Sequence, residues 1–127
     1  MLKFLSFGSG SSGNCYILFT GADCLMIDCG VGIRTLKKHF YNYGLQMSMI
    51  HHILITHDHA DHVKSVGSIS GDLQLPVYAT DGTLQGIRNN WCVRRKIDTK
   101  LTHTINKGEE VQLGEFKVVA FDVPHDS

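Results

Sequence analysis

The sequence has 127 residues, of which 43% are hydrophobic and 19% are charged, which are ordinary values for a globular domain. The charges of twelve basic and twelve acidic side chains cancel, so the formal net charge is zero with histidine neutral. The overall charge therefore does not point to a polyanionic partner, although a local basic patch could still bind one. We expect no signal peptide, because the apolar stretch near residue 3 is too short, and the sequence shows no run of about 20 apolar residues. We expect one cytoplasmic domain, residues 1–127, without a membrane segment.

The four cysteines form no CxxC pair, and we interpret them as buried thiols of a reducing compartment. A disulfide is the alternative, since Cys24 and Cys29 could meet across a turn.

Short apolar and aromatic stretches predict strands, whereas apolar residues at helical spacing predict a helix. In the first half, the predicted elements are strands at 2–7, 14–20, 24–28 and 50–55 and a helix at 32–43. In the second half, they are a short helix at 61–70, a strand at 75–80, a turn at 81–82 before a weak helix ending at Ile87, and a tail meander of three strands. Strands with intervening helices indicate an α/β fold with a mixed sheet and flanking helices.

A glycine- and serine-rich loop follows the first predicted strand. Gly8, Gly10 and Gly13 satisfy G-x-G-x-x-G, but the next segment, "NCYILF", reads as a strand and not as the helix that holds a pyrophosphate. A dinucleotide site is therefore not expected. Two interpretations stay open, a flexible turn or a loop whose polar groups approach an anionic or polar substrate. The substrate-loop residues would be Ser9, Ser11, Ser12 and Asn14.

The segment "THDHADH", residues 56–62, follows an apolar strand and crowds ligand-capable side chains together. In an extended segment, His57 and His59 point to the same side and can bind one divalent ion. Asp61 and His62 would lie at a second position nearby, and two ions there could act together on one bond. A solvated polar loop is the alternative. Asp58 either supports the ligands or is merely exposed.

Two further residues stand at or near strand ends. His125, in "VVAFDVPHDS", is the candidate third ligand of the first ion, although a surface histidine near the end of the sequence is the alternative. Asp28 suits a carboxylate that orients a ligand histidine, or else a turn-forming residue before glycine. The segment "RNNWCVRRK", residues 88–96, is either a solvated helix end or a contact to phosphates.

These motifs together resemble the metallo-β-lactamase superfamily. "THDHADH" resembles its T-H-x-H-x-D-H motif, and "LMIDCG" and "VPHDS" resemble the motifs before and after it. "FGSGSSGNCYIL" and "FDVPHDS" are most similar to the YycJ/WalJ-like branch. The resemblance implies an αββα sandwich in which His57, His59 and His125 hold one ion and Asp61 and His62 contribute to the second, with Asp28 in support.

For function, the resemblance implies a metal-dependent phosphodiesterase or exonuclease that acts on DNA through metal-bound hydroxide, with Asp61 and His62 as catalytic residues. Zinc is the expected metal, and manganese or iron(II) would also suit. A thioester or other small-ester hydrolase is the alternative, as is a metal-binding half-domain without turnover. Family members continue beyond the motif that contains His125, whereas this sequence ends at Ser127. We therefore expect the N-terminal half of the sandwich, with an exposed apolar face that favours a homo-oligomer.

Overall fold

The protein is described here by a computed structural model, which covers residues 2–121. His125 lies outside the described residues. No helix in the described range is both long enough and apolar enough to cross a bilayer. The strands are β1 (Lys3–Gly8), β2 (Cys15–Phe19), β3 (Cys24–Ile27), β4 (Ile50–Leu54), β5 (Val77–Ala79), β6 (Thr102–Thr104), β7 (Glu110–Leu113) and β8 (Phe116–Val119), and the helices are α1 (Ile33–Asn42), α2 (Ala60–Val63), α3 (Val66–Leu73) and α4 (Asp81–Asn89).

Six strands form the main sheet in the order β1-β2-β3-β4-β5-β6. The pairs β1–β2 and β2–β3 are antiparallel, and β3 to β6 run parallel to one another. The predicted mixed sheet with flanking helices is confirmed. Because parallel strands end at the same edge, Asp28 after β3, the 56–62 segment after β4 and Thr80 after β5 lie along one edge of the sheet. Open α/β sheets bind their ligands at this edge.

The helices cover an apolar face of the sheet. Leu36 and Phe40 are one helical turn apart on α1 and are almost fully buried, and the ring of Phe40 meets that of Phe7 edge-on with centroids 5.0 Å apart. Ile53 of β4 and Ile69 of α3 are equally buried in the same core. This packing holds the ends of β3 and β4 in a fixed relation, which the site requires.

A separate two-stranded sheet, formed by β7 and β8, is attached to the main sheet through Asp23. The carboxylate of Asp23 accepts a hydrogen bond of 2.8 Å from the N–H of Glu115, and an added Cβ at Gly114 would lie 1.7 Å from it. The hairpin turn therefore needs glycine at 114, both for this close approach and for its φ of 61°. Leu113, the last residue of β7, is fully buried.

Three local predictions differ from the structure. The helix predicted at 61–70 is two helices, because Ser65 turns aside to donate its N–H to Cys29 and its hydroxyl to Val31. Asp81–Gly82 is not a turn but the first turn of α4, whose start is capped by the hydroxyl of Thr80. The first strand of the predicted tail meander is β6, which instead pairs parallel with β5.

All four cysteines are free thiols, as predicted. Burial raises the pKa of Cys15 and of Cys24 to about 12, and it raises the pKa of Cys29 well above its ordinary value. These three side chains are therefore packed as neutral apolar groups, whereas Cys92 is half-buried.

Candidate metal centre

Three histidine rings converge in the loop that joins β4 to α2. The ring centroids of His57 and His62 lie 4.6 Å apart, and that of His59 lies 6.0 Å from His57 and 6.5 Å from His62. The side chain of His59 is 69% exposed, whereas that of His62 is only 17% exposed. The cluster thus opens to solvent on the side of His59.

Asp28 anchors this cluster from below. It is 2% exposed and has a φ of 65°, in the left-handed region that aspartate tolerates better than most residues. Its Oδ1 accepts the N–H of Thr56 at 2.8 Å. Its Oδ2 lies 2.7 Å from both the hydroxyl of Thr56 and Nδ1 of His62. One buried carboxylate therefore joins the end of β3 to both ends of the histidine loop.

These contacts determine the tautomers of two histidines. A carboxylate only accepts hydrogen bonds, so Nδ1 of His62 must be the donor and Nε2 keeps its lone pair. Thr56 gives its single hydroxyl proton to Asp28, so its oxygen accepts from Nδ1 of His57, 2.8 Å away. In the neutral form, each of these imidazoles consequently presents Nε2 as the ligand atom, in the arrangement that metal-bound histidines commonly adopt. Thr56 was assigned no role from the sequence, although it is the first residue of the "THDHADH" motif.

Asp61 faces His62, with its Oδ2 3.8 Å from Nε2 of that ring. The amide of Asn14 holds Asp61 in place, since its Nδ2 lies 3.1 Å from both the carboxylate Oδ2 and the backbone oxygen. The N–H of Asn14 also donates to the backbone oxygen of Asp61 at 2.7 Å. Asn14 is only 6% exposed, so the structure places it against the histidine loop and not at the surface.

The serines of the glycine-rich loop are placed differently from Asn14. All three are exposed, and Asn14 ties their loop to the Asp61 backbone. They therefore lie on the solvent side of the same loop whose base supports Asp61. These residues are Ser9, Ser11 and Ser12.

Asp58 is turned towards α4. An added Cβ at Gly86 would lie 1.8 Å from its Oδ2, and its backbone oxygen accepts a hydrogen bond of 2.9 Å from Asn90. Its Oδ1 lies 3.9 Å from Nε2 of His59. Asp58 thus contacts both the helix and the edge of the histidine cluster.

The donor set of imidazoles and carboxylates suits a divalent metal ion. Asp28, His57 and His62 each offer one ligand atom, and these atoms lie within 4.8 Å of one another. Asp28, however, is buried and already accepts three hydrogen bonds, so we assign it to support and not to ligation. The carboxylate of Asp61, with Oδ2 3.8 Å from Nε2 of His62, is the neighbouring oxygen donor. How these ligands divide between one or two ions, and the part played by His125, stay predictions.

An open cleft of about 670 Å³ adjoins the cluster. Its walls include the His57–His59 segment, the start of α4 at Thr80–Thr83 and the loop residues Asn106 and Lys107. A substrate thus has access from solvent to the face of the cluster on which His59 is exposed.

A family model described as "Beta-lactamase superfamily domain" matches residues 24–127. The chain belongs to this superfamily. The metallo-β-lactamase MEM-A1, a subclass B3 enzyme from a soil metagenome library, has the same fold, with a TM-score of 0.73 at 18% identity. The match covers 95% of this chain and 50% of that one, which confirms the predicted half of the sandwich.

Two curated relatives match nearly the whole chain. Exodeoxyribonuclease WalJ of Streptococcus pneumoniae is 29% identical over 125 residues, which cover 98% of this chain and 46% of that protein. Exodeoxyribonuclease YycJ of Bacillus anthracis is 29% identical over 126 residues, which cover 99% and 47%. The chain therefore spans about half the length of the curated relatives it matches.

Proposed function

We propose that the protein is a metal-dependent hydrolase that cleaves phosphodiester bonds in DNA as an exonuclease. The observation that carries this proposal is the Asp28–Thr56 bridge, which contacts Nδ1 of both His57 and His62 and so leaves Nε2 as the ligand atom of each ring. The carboxylate of Asp61 lies beside Nε2 of His62. The names of the two curated relatives support DNA as the substrate.

The proposed ligands of the first ion are His57, His59 and His125, and those of the second are Asp61 and His62, with zinc favoured over manganese or iron(II). Bound divalent ions polarise phosphoryl oxygens and lower the pKa of water, which is the chemistry that hydrolysis of a phosphodiester needs. Asp61 and His62 are the proposed catalytic residues.

The remaining residues of the site position these groups. Asp28 and Thr56 hold two imidazoles in one tautomer and one orientation, so no reorganisation is required when an ion binds. Asn14 keeps Asp61 from turning away. We propose that the exposed hydroxyls of Ser9, Ser11 and Ser12 contact the substrate, since their loop is fixed to the backbone of Asp61.

Cleavage of end-labelled duplex DNA in the presence of Mn²⁺ or Zn²⁺ tests this proposal. We expect His59→Ala to lower the rate by about 100-fold or more, because loss of a ligand should cost at least as much as loss of a residue that orients one. His103→Ala is the matched control, as His103 is exposed on β6. Hydrolysis of thioesters or small esters without any DNA cleavage would contradict the nuclease proposal.

We also propose a cytoplasmic location, consistent with four free thiols, and association of two copies through the apolar surface near the end of β8. Val119 is 47% exposed and Phe121 is 74% exposed there. Light scattering that gives a dimer mass would support the association, and a monomer mass at high concentration would contradict it.

A further inference from the structure

Trp91 is the only tryptophan of the sequence, and it is 83% exposed. It follows the end of α4 in the 90–96 segment. Large solvent-exposed aromatic side chains are common at binding surfaces. The face of the ring offers a large contact area, and the side chain loses little conformational entropy on binding.

Two arginines without an ion pair in the described part of the chain lie three positions before and after Trp91 in the sequence. The stretch from Arg88 to Lys96 carries four basic residues and no acidic one. Arg95 pairs with Asp72 at 2.6 Å, and Lys96 donates to a backbone oxygen at 2.7 Å. Arg88 and Arg94 are exposed and make no ion pair within residues 2–121. A chain of zero net charge thus carries, within three sequence positions of its one tryptophan, two exposed arginines that no acidic residue of the described range neutralises.

Asn90 attaches this surface to the histidine loop. Its Nδ2 donates to the backbone oxygen of Asp58 at 2.9 Å, while its Oδ1 accepts the N–H of Cys92, also at 2.9 Å. Asp58 lies between His57 and His59 in the chain. The first hydrogen bond therefore connects the segment that carries Trp91 with the segment that carries the proposed ligands, and the second holds Asn90 within its own segment.

We propose that Trp91, Arg88 and Arg94 form a stacking platform, which holds an unpaired base of single-stranded DNA beside the metal centre. The indole would stack on a base of any sequence, and the two guanidinium groups would contact the flanking phosphates. This inference rests on the proposed function and names its preferred substrate, a strand end that is single-stranded.

Fluorescence provides a direct test, because Trp91 is the only tryptophan. The metal-loaded protein is titrated with a phosphorothioate oligothymidylate, which resists cleavage. We expect saturable quenching that is weaker with a blunt duplex of equal length, since the bases of a duplex are already stacked on one another. Anisotropy of a labelled oligonucleotide gives the Kd of variants that lack the indole.

Trp91→Ala should raise this Kd by about tenfold or more. Arg88→Ala and Arg94→Ala should each reduce the slope of log Kd against log salt by about 0.7. Tyr41→Ala is the matched control, because Tyr41 is also 83% exposed and follows Lys37 and Lys38 on α1. Its Kd should be unchanged. Melting temperatures equal to that of the parent protein would show that the exposed substitutions leave the fold intact.

The inference is overturned if the indole is not quenched, if Trp91→Ala binds as tightly as the parent, or if a blunt duplex quenches as strongly. Its failure is distinguishable from that of the proposed function. If DNA cleavage depends on metal but Trp91→Ala does not change it, only the proposed stacking platform is refuted. If the single-stranded oligonucleotide specifically quenches Trp91 fluorescence but no DNA is cleaved, the nuclease proposal is refuted and a surface that binds single strands is retained.

Discussion

Nδ1 of His62 lies 2.7 Å from Oδ2 of Asp28, and this hydrogen bond fixes the imidazole that faces Asp61. The aspartate is buried and the histidine is partly buried, with side-chain exposures of 3% and 17%. A buried carboxylate without donors would be costly, so the contacts with Thr56 and His62 also stabilise the fold. The site and the joint between β3 and β4 therefore depend on the same residue.

Asp28→Asn should weaken divalent metal binding by about 10- to 100-fold. Asparagine tolerates the positive φ of this position, so the substitution removes the carboxylate without adding backbone strain. Competition with a chromophoric chelator measures the Kd. Asp72→Asn, on the exposed side of α3, is the control and should bind metal as the parent does. An unchanged Kd in Asp28→Asn would contradict the supporting role.

Asn14→Ala should destabilise the protein by about 1–3 kcal/mol, because it removes the part-buried hydrogen bonds that the Asn14 amide donates to the backbone oxygen of Gly10 and to the carboxylate of Asp61. The 8–13 loop should also become more susceptible to proteolysis. Asn42→Ala, an exposed asparagine at the end of α1, should change the free energy of unfolding by less than about 0.5 kcal/mol. Urea denaturation measures both variants, and equal effects would refute the role of Asn14.

Asp23→Asn should loosen the β7–β8 hairpin. Burial alone would raise the pKa of Asp23, but hydrogen bonds from His51, Glu115 and Cys24 outweigh it and hold the pKa below its ordinary value. A carboxyl group whose pKa is lowered by folding stabilises the folded protein at pH values above its ordinary pKa. This stabilisation is lost as the pH falls through the folded-state pKa. The free energy of unfolding of the variant should therefore be lower than that of the parent at pH 7, by about 1–3 kcal/mol. This difference should be smaller below about pH 4.

The matched control for this experiment is Asp98→Asn, whose side chain is 49% exposed. Its melting temperature should follow that of the parent at every pH. A constant difference between Asp23→Asn and the parent from pH 7 to pH 2 would show that the Asp23 carboxylate does not titrate as proposed.

The buried thiols predict both a labelling order and an alkaline transition. A thiol reagent should modify Cys92 first, and the other three cysteines only when the protein unfolds. Because burial raises their pKa values, these neutral thiols contribute their full stability at pH values below the ordinary pKa of 9.0. This stability is lost as the pH rises towards about 12. The melting temperature should thus fall above pH 9, and less steeply in Cys15→Ala. Rapid modification of four thiols in the folded protein would contradict their burial.

Local patterns were enough to predict the elements that form through local preferences. The strands β1 to β4 and helix α1 appear within about two residues of their predicted bounds. In α1, the spacing of Leu36 and Phe40 already marked the buried face. The parallel pairing of β6 with β5 was missed, because a three-residue strand carries too little pattern to show which neighbour it will choose.

The residues of the site likewise divide into those that a local motif predicts and those whose roles depend on partners distant in the chain. The crowding of His57, His59, Asp61 and His62 is visible in the sequence, because these residues lie within one short loop. The roles of Thr56 and Asn14 are not visible there, since their partners lie 28 and 47 residues away in the chain. Asn14 was interpreted as a substrate-loop residue because of its glycine and serine neighbours. Its burial follows from the way this loop folds against Asp61.

An anomalous difference map of zinc-loaded crystals, recorded at the zinc edge, tests the central claim most directly. The tautomers set by Asp28 and Thr56 predict that zinc lies about 2.1 Å from Nε2 of His57 and from Nε2 of His62. These two contacts belong to one ion or to two neighbouring ions. Zinc bound through Nδ1 of either histidine, or no zinc beside these rings at saturating concentration, would contradict the account.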